Sequence, residues 1–147
     1  MPCITSNFVP TIGPIINLGF AAPGTVKPAI LNQTTAQLNV AYAPILIDTG
    51  ASITCISPNI VQNLGLIPNS KQSVSVPTGI ASANLYLADV LISFGDPKQG
   101  AETQITENMS VMEYNGNCPH YQGLMGRDLI NRGTFTISWD GRYIFCL

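Results

Sequence analysis

The sequence predicts an all-β fold, because short runs rich in Ile, Val, Leu, Thr and Tyr recur between turn residues along most of the chain. The strongest hairpin signal is Asp140-Gly141, set between the runs Thr134–Trp139 and Arg142–Leu147. A protein built mainly from short strands is therefore expected. The predicted strands are Pro14–Leu18, Ala36–Tyr42, Ile45–Ile47, Gln72–Val76, Ala83–Ser93, Glu107–Glu113 and Thr134–Ser138.

Two short segments have the end signals of helices. Ser57–Leu64 begins with Ser-Pro, a favourable pair for the N-cap and first helical position, and stops before Gly65. Arg127–Arg132 stops before Gly133 in the same way. Each segment is long enough for about two turns. The sequence therefore predicts one or two short helices beside the strands.

The chain is long enough for a single domain with a substantial core, since it has 147 residues of which 46% are hydrophobic. The Pro- and Gly-rich residues 1–28 are predicted to form an N-terminal arm or an edge strand, with a boundary near Pro28 and the main domain at 29–147. Within that domain, Gly95–Gly100 and Asn115–Tyr121 are predicted loops.

Charge and hydropathy exclude several classes of partner. The formal net charge is −2 and the six basic residues form no cluster, which argues against nucleic-acid binding. The apolar runs are short, and the N-terminus lacks the charged-then-apolar order of a secretory signal. We therefore expect a soluble, cytoplasmic protein that does not enter a membrane.

The cysteines and the single histidine do not have the spacing of a metal site. The four cysteines lie far apart in the sequence and form no C-x-x-C pair, so neither a metal nor another cofactor is expected. Cys118-Pro119-His120 is predicted to be a loop with a free thiol, because a Cys–His pair must meet in space to be catalytic. Disulfides are possible, although the spacing requires none. The cysteines are Cys3, Cys55, Cys118 and Cys146.

The most informative segment is the predicted strand Ile45–Ile47 and the polar residues that follow it. A buried strand rarely ends in a carboxylate such as Asp48 without a hydrogen-bonding or catalytic reason. Thr49 can donate its hydroxyl locally, and Gly50 permits a tight turn or a close approach of another backbone. Taken alone, Asp-Thr-Gly is equally compatible with an ordinary turn.

A second segment further along the chain favours a catalytic interpretation. The blocks Ile47-Asp48-Thr49-Gly50-Ala51 and Leu124-Met125-Gly126-Arg127-Asp128 resemble, in order and separation, those of retropepsin-like (retroviral-type) aspartic proteases. In that family a strand ending in Asp-Thr-Gly-Ala is followed by a flap hairpin, and then by an apolar-apolar-Gly-Arg-Asp or Asn segment that leads into a helix. The resemblance extends over Leu38–Leu147.

The resemblance implies a small closed acid-protease barrel lobe with a flap hairpin, two such lobes being brought together by homodimerisation. It implies catalytic roles, without metal or cofactor, for Asp48, Thr49 and Gly50. Substrate-binding roles are implied for Ala51 and Ser52 and for the flap residues Pro77, Thr78, Gly79 and Ile80. Structural support is implied from Leu124, Met125, Gly126, Arg127 and Asp128.

The implied reaction is hydrolysis of an extended peptide by a water held between two carboxyl groups. The ionised carboxylate takes a proton from the water, and its protonated partner donates a hydrogen bond to the scissile carbonyl. One chain offers one suitable residue, Asp48, so a two-fold homodimer has to supply the second. By resemblance, the C-terminal strand Tyr143–Leu147 is expected to interleave with the partner.

One position departs from the retroviral pattern. Retroviral members commonly carry an acid where this sequence has Ser52, and that acid pairs with the arginine of the second block. Arg127 must therefore use another partner, such as Asp128, a backbone carbonyl or a carboxylate elsewhere. Two other functions remain open on the sequence. One is a catalytically silent retropepsin-fold scaffold for binding or dimerisation, and the other is an unrelated β-sandwich structural protein in which both motifs are turns.

Overall fold

The computed structural model describes residues 1–27, 38–95 and 102–147, and most of this part of the chain is strand, as the sequence predicts. Two short helices, α1 and α2, accompany the strands. In chain order the elements are β1 Cys3–Asn7, β2 Ile15–Ala21, β3 Val40–Ile47, β4 Cys55–Ile56, α1 Pro58–Leu64, β5 Ser70–Val76, β6 Gly79–Phe94, β7 Glu102–Glu113, β8 Gly123–Met125, α2 Arg127–Ile130, β9 Thr134–Ile137 and β10 Arg142–Cys146.

Six strands close into a barrel in the order β2-β3-β8-β4-β7-β6. The ring is completed by antiparallel pairing of β2 with β6, in which Gly19 lies opposite Leu91. Closure satisfies the backbone groups that an open sheet would leave at its edges. The small closed barrel expected from the resemblance is therefore confirmed. Strand β5 pairs only with β6 and extends from the ring as one arm of a hairpin.

The barrel is filled by aliphatic and aromatic side chains contributed by its strands. On β2 and β3, for example, Leu18, Phe20 and Ile45 are fully buried. Helix α1 covers one end of this core. Its buried residues are Ile60, Val61 and Leu64.

Strand β8 lies between β3 and β4, which are the strands before and after the Asp48 loop. It runs parallel to β3, with Leu46 opposite Leu124, and antiparallel to β4, with Cys55 opposite Leu124. Strand β8, which carries the start of the second sequence block, therefore lies between the strand that precedes the Asp48 loop and the strand that follows it. This topology brings together the two motifs that are far apart in the sequence.

The remaining three strands form a second sheet in the order β1-β10-β9. A disulfide joins Cys3 on β1 to Cys146 on β10, with 4.1 Å between their Cα atoms. Because β10 pairs with strands of its own chain along both edges, interleaving with a partner would require one of these ladders to open. The expected strand exchange of Tyr143–Leu147 thus differs from the observed pairing.

Disulfides persist chiefly in oxidising compartments, so the Cys3–Cys146 bond does not favour the expected cytoplasmic location.

The N-terminal residues contribute strands to both sheets. Strand β1 is an edge strand of the second sheet, whereas β2 is a barrel strand that contributes Leu18 and Phe20 to the core. The boundary expected near Pro28 lies outside the described residues, as do residues 96–100 of the predicted Gly95–Gly100 loop. Asn115–Tyr121 contains neither helix nor strand, as predicted.

The sequence signals predicted the two helices and the β9–β10 hairpin, but the helix cap and the turn type differ from the prediction. Ser57 is at the N-cap of α1, but its buried hydroxyl makes no hydrogen bond within the described structure, so Pro58 and the left-handed Gly65 carry the end signals. The β9–β10 connection is a turn in which Gly141 donates to the Ser138 carbonyl and has a φ of 80°. It is therefore a longer turn with a left-handed glycine rather than a two-residue Asp-Gly turn, and β9 ends before Trp139.

One acid outside the two motifs is fully buried. Asp89 lies at the bulge in β6 and accepts backbone N–H bonds from Gly24 at 3.0 Å and from Asn108 at 2.9 Å. These bonds compensate a carboxylate for its loss of water. Asp89 therefore joins the Gly24 turn and the β7 backbone at Asn108 to β6. In the described ranges, no helix is long and apolar enough to cross a membrane.

We predict that replacing both bonded cysteines, Cys3→Ala with Cys146→Ala, lowers the free energy of unfolding by about 2–5 kcal/mol, because the bond closes a very long loop in the unfolded chain. Urea unfolding of the oxidised wild type and the double variant measures this loss. Cys118→Ala removes a thiol that is free in the structure and should leave the midpoint nearly unchanged. Equal midpoints for wild type and double variant would show that the bond does not form in solution.

Candidate active site

Asp48 follows the last residue of β3, and its carboxylate is held by the loop that it begins. Its Oδ1 accepts the Gly50 N–H at 2.8 Å, and its carbonyl accepts the Ala51 N–H at 3.2 Å. Oδ2 receives no hydrogen bond from the described residues, and the side chain is half-buried. One carboxylate oxygen is thus fixed while the other is available to a water or a second carboxyl group.

The second sequence block, Leu124–Asp128, supports the Asp48 loop through hydrogen bonds. The Asp48 N–H donates to the Met125 carbonyl at 3.0 Å, and the Arg127 N–H donates to the Ala51 carbonyl at 2.9 Å. The Arg127 side chain adds a bond from Nη1 to the Thr49 carbonyl at 2.9 Å. A backbone carbonyl is therefore its partner, one of the three possibilities left open by Ser52. The loop is therefore bonded to the second block at Asp48, Thr49 and Ala51.

A buried hydrogen-bond network centred on Thr54 joins the two blocks. Thr54 is fully buried, and its hydroxyl donates to Asp128 Oδ1 at 2.7 Å while accepting the Gly126 N–H at 3.1 Å. Its backbone N–H donates to Asp128 Oδ2 at 2.9 Å. The carboxylate of Asp128 is therefore used to position the loop. In the sequence, Thr54 is marked only as a hydroxyl residue within an otherwise apolar run.

Gly126 has no room for a side chain. A Cβ at this position would lie 2.6 Å from the carbonyl carbon and 2.8 Å from the carbonyl oxygen of Ile53. The loop backbone would have to move to accommodate it. Of the other residues expected to give support, Met125 is fully buried under the loop and Leu124 is half-buried beside Leu46.

Cys55 lies close to the site but is unsuited to chemistry. Burial, together with the nearby Asp128 and Asp48 carboxylates, raises the pKa of its thiol to about 12. The thiol donates to the Ile53 carbonyl at 3.2 Å. Since the thiolate is the nucleophilic form, Cys55 is inert at neutral pH. No group of three or more potential metal ligands occurs among the described residues.

The predicted flap is the hairpin of β5 and β6, which turns at Pro77 and Thr78 with Val76 opposite Gly79. Ile80 at its tip is 84% exposed. The hairpin connects to the site through Leu85, which pairs with Met112, which in turn pairs with Cys55. The described hydrogen bonds include none between this tip and the Asp48 loop. Six residues separate the tip from Leu85, so it projects about 20 Å.

The residues expected to bind substrate therefore fall into two groups. Ala51 is half-buried and Ser52 is exposed, both on the Asp48 loop. Pro77, Thr78 and Gly79 are exposed at the hairpin tip, next to Ile80. The structure places the first group beside Asp48 and connects the second to it only through the sheet.

We predict that Thr54→Val, which keeps the shape of the side chain, lowers the free energy of unfolding by about 2–4 kcal/mol, because the buried Gly126 N–H and an Asp128 oxygen lose their partner. Thr136→Val on the exposed surface of β9 is the matched control and should stay within about 0.5 kcal/mol of wild type. Chemical denaturation measures both. Equal effects of the two substitutions would contradict a central role for the buried hydroxyl.

Comparison with known proteins supports the fold. The sequence matches no protein-family model and no curated protein. In structure the chain is similar to a retropepsin-like aspartic protease from Rickettsia conorii, with a TM-score of 0.60 and 17% sequence identity over 97% of this chain and 89% of that one. At this identity the similarity concerns architecture, and it shows that the chain has a retropepsin-like fold.

Proposed function

We propose that this chain is one subunit of a homodimeric aspartic endopeptidase. The observation that carries the proposal is the geometry of Asp48, whose Oδ1 is fixed by the Gly50 N–H while Oδ2 makes no bond within the described structure. A carboxylate kept in place in this way can bind a water with its free oxygen. The loop that holds it has the support that a reacting group requires, because a misplaced catalytic group loses much of its effect.

The dyad requires a second copy of the chain. Asp128 is engaged by Thr54, and Asp89 is engaged by Gly24 and Asn108, so neither carboxylate is free to face Asp48. A two-fold axis beside the Asp48 loop would bring two equivalent carboxyl groups together. Two such groups about 3 Å apart share one proton, which supplies both the base and the acid of the reaction.

The proposed substrate is an extended peptide. The β5–β6 hairpin offers backbone groups and an exposed apolar tip at Ile80, and a hairpin of this kind can close over a bound peptide and exclude water. Backbone hydrogen bonds along an extended segment would hold the peptide, while its side chains alternate between the two sides. Thr49 is exposed on the loop, where its hydroxyl can contact the equivalent loop of a partner.

Of the two other functions considered, the β-sandwich does not agree with the structure, because six of the strands close into a barrel. The silent scaffold shares this fold with the protease, and only catalysis distinguishes them. Cleavage of a peptide library by the wild-type dimer, and its dependence on Asp48, therefore separates the two.

We predict that Asp48→Asn leaves folding and dimerisation intact and abolishes cleavage, because an amide cannot act as the base. When wild-type and variant chains are mixed and allowed to exchange, each heterodimer has one working carboxyl group. Activity should then fall as the square of the wild-type fraction, leaving about one quarter in an equal mixture. Glu102→Gln, which removes an exposed acid on β7, is the matched control and should show no such loss.

The outcome of mixing separates the alternatives. A linear fall, to about one half in an equal mixture by the same combinatorics, would mean that each chain acts alone and would rule out the shared dyad. A wild-type chain that dimerises but cleaves no member of the library would indicate the silent scaffold.

We further predict a bell-shaped dependence of kcat/KM on pH with its maximum on the acidic side of neutrality. Catalysis needs one ionised and one protonated carboxyl group, so activity falls at low pH when both are protonated and at high pH when both are ionised. Chelators should have no effect. A rate that rises steadily into the alkaline range, or that is lost with EDTA, would contradict the aspartic mechanism.

A further inference from the structure

Trp139 is the only tryptophan of the sequence, and its side chain is 98% exposed at the tip of the β9–β10 hairpin. The tip is held by the turn bond from Gly141 to Ser138 and by an Asp140–Arg142 ion pair at 2.6 Å. A large aromatic side chain is rarely left in water when it could be buried. The turn backbone at Trp139 is thereby held while its side chain is exposed, a position suited to an interface anchor.

An apolar cavity of about 300 Å³ lies next to this tip. The two features are in contact, because the Phe8 N–H donates to the Gly141 carbonyl at 2.8 Å. Val9, which lines the cavity, is 55% exposed, so the cavity opens to the surface. Its volume is sufficient for an indole ring. It is lined by Asn7, Phe8, Val9, Ile12, Gly13 and Ile15.

The cavity and the tip are also close to Asp48. Ile15 pairs with Leu46, and the Pro14 carbonyl accepts the Ile47 N–H at 2.9 Å, so Gly13 lies level with Asp48 along the ladder. A two-fold axis that brings two Asp48 side chains together consequently passes near both the cavity and the hairpin tip. Each subunit would then present an aromatic group beside a cavity that can receive one.

We propose that in the homodimer Trp139 of each chain inserts into the Phe8–Ile15 cavity of the partner. This inference rests on the proposed function, which requires a second copy to complete the site. A two-fold interface needs self-complementary surfaces, and an anchor beside its own receptor cavity meets that requirement. Aromatic anchors in pockets commonly dominate interface energies. Strand exchange through β10 is not available, because both of its edges are paired within the chain.

The single tryptophan makes the test direct, since all indole fluorescence of the wild-type protein comes from Trp139. In a dilution series, emission should be red-shifted and readily quenched by acrylamide at low concentration. It should become blue-shifted and protected at high concentration, with the midpoint that sedimentation gives for dimerisation. A dimer in which the indole stays red-shifted and accessible overturns the inference.

Variants test the two halves of the contact. Trp139→Ala should weaken the dimer by roughly 1000-fold, because the homodimer loses two symmetric anchors, each worth roughly 30-fold in Kd, the equivalent of a 2 kcal/mol hot spot. Val9→Asp places a charge in the cavity and should weaken the dimer comparably while keeping Trp139 as a reporter, which then stays accessible. Ile67→Ala, on the loop between α1 and β5 and 82% exposed, is the matched control and should have little effect. Equal Kd values for Trp139→Ala and Ile67→Ala overturn the inference.

These measurements distinguish failure of the inference from failure of the proposed function. Peptide cleavage by a dimer whose Trp139 remains exposed would leave the protease standing and remove the interface. A dimer with a protected Trp139 and no cleavage would support the interface and remove the protease. A monomer at every concentration would overturn both.

Discussion

The hydroxyl group of Thr54 is the point on which the geometry of the site depends. It is fully buried, and it donates to Asp128 while accepting from Gly126, so one atom joins the end of the Asp48 loop to the start of α2. A buried polar network of this kind stabilises a structure only when every member is paired, and here the Thr54 N–H completes the pairing of Asp128. The two motifs therefore form one unit.

The barrel makes this network possible. Strand β8 can lie between β3 and β4 only because the chain crosses from β4 through the β5–β6 hairpin and β7 before it returns. The return places Gly126 against the Ile53 backbone, where no side chain fits. Asp48 is consequently held by backbone hydrogen bonds to Met125 on β8 and to Ala51 within its own loop. A rigid barrel with a carboxylate at its edge is a suitable support for a group that must keep its position during a reaction.

The second sheet, β1-β10-β9, is attached to the barrel by a side-chain hydrogen bond. Tyr143 on β10 is buried, and its hydroxyl donates to the Ile15 carbonyl at 2.7 Å, which attaches this sheet to β2 next to the Asp48 ladder. The Cys3–Cys146 bond and the β1 and β9 ladders fully occupy β10. No further strand can therefore pair with β10. The exposed apolar residues near this sheet are Val9, Ile137 and Trp139.

The sequence by itself determined the all-β class, the two short helices and the positions of both motifs. These features depend on local patterns: alternating apolar residues, Pro and Gly at helix ends, and a carboxylate at the end of an apolar run. It did not determine β1, β4 or the disulfide. Two-residue β4 has too few residues for a pattern, and the pairing of Cys3 with Cys146 depends on contacts across the whole chain. The role of Thr54 was also decided only by tertiary structure, because a threonine in an apolar run becomes a hydrogen-bond centre only when the second motif folds against it.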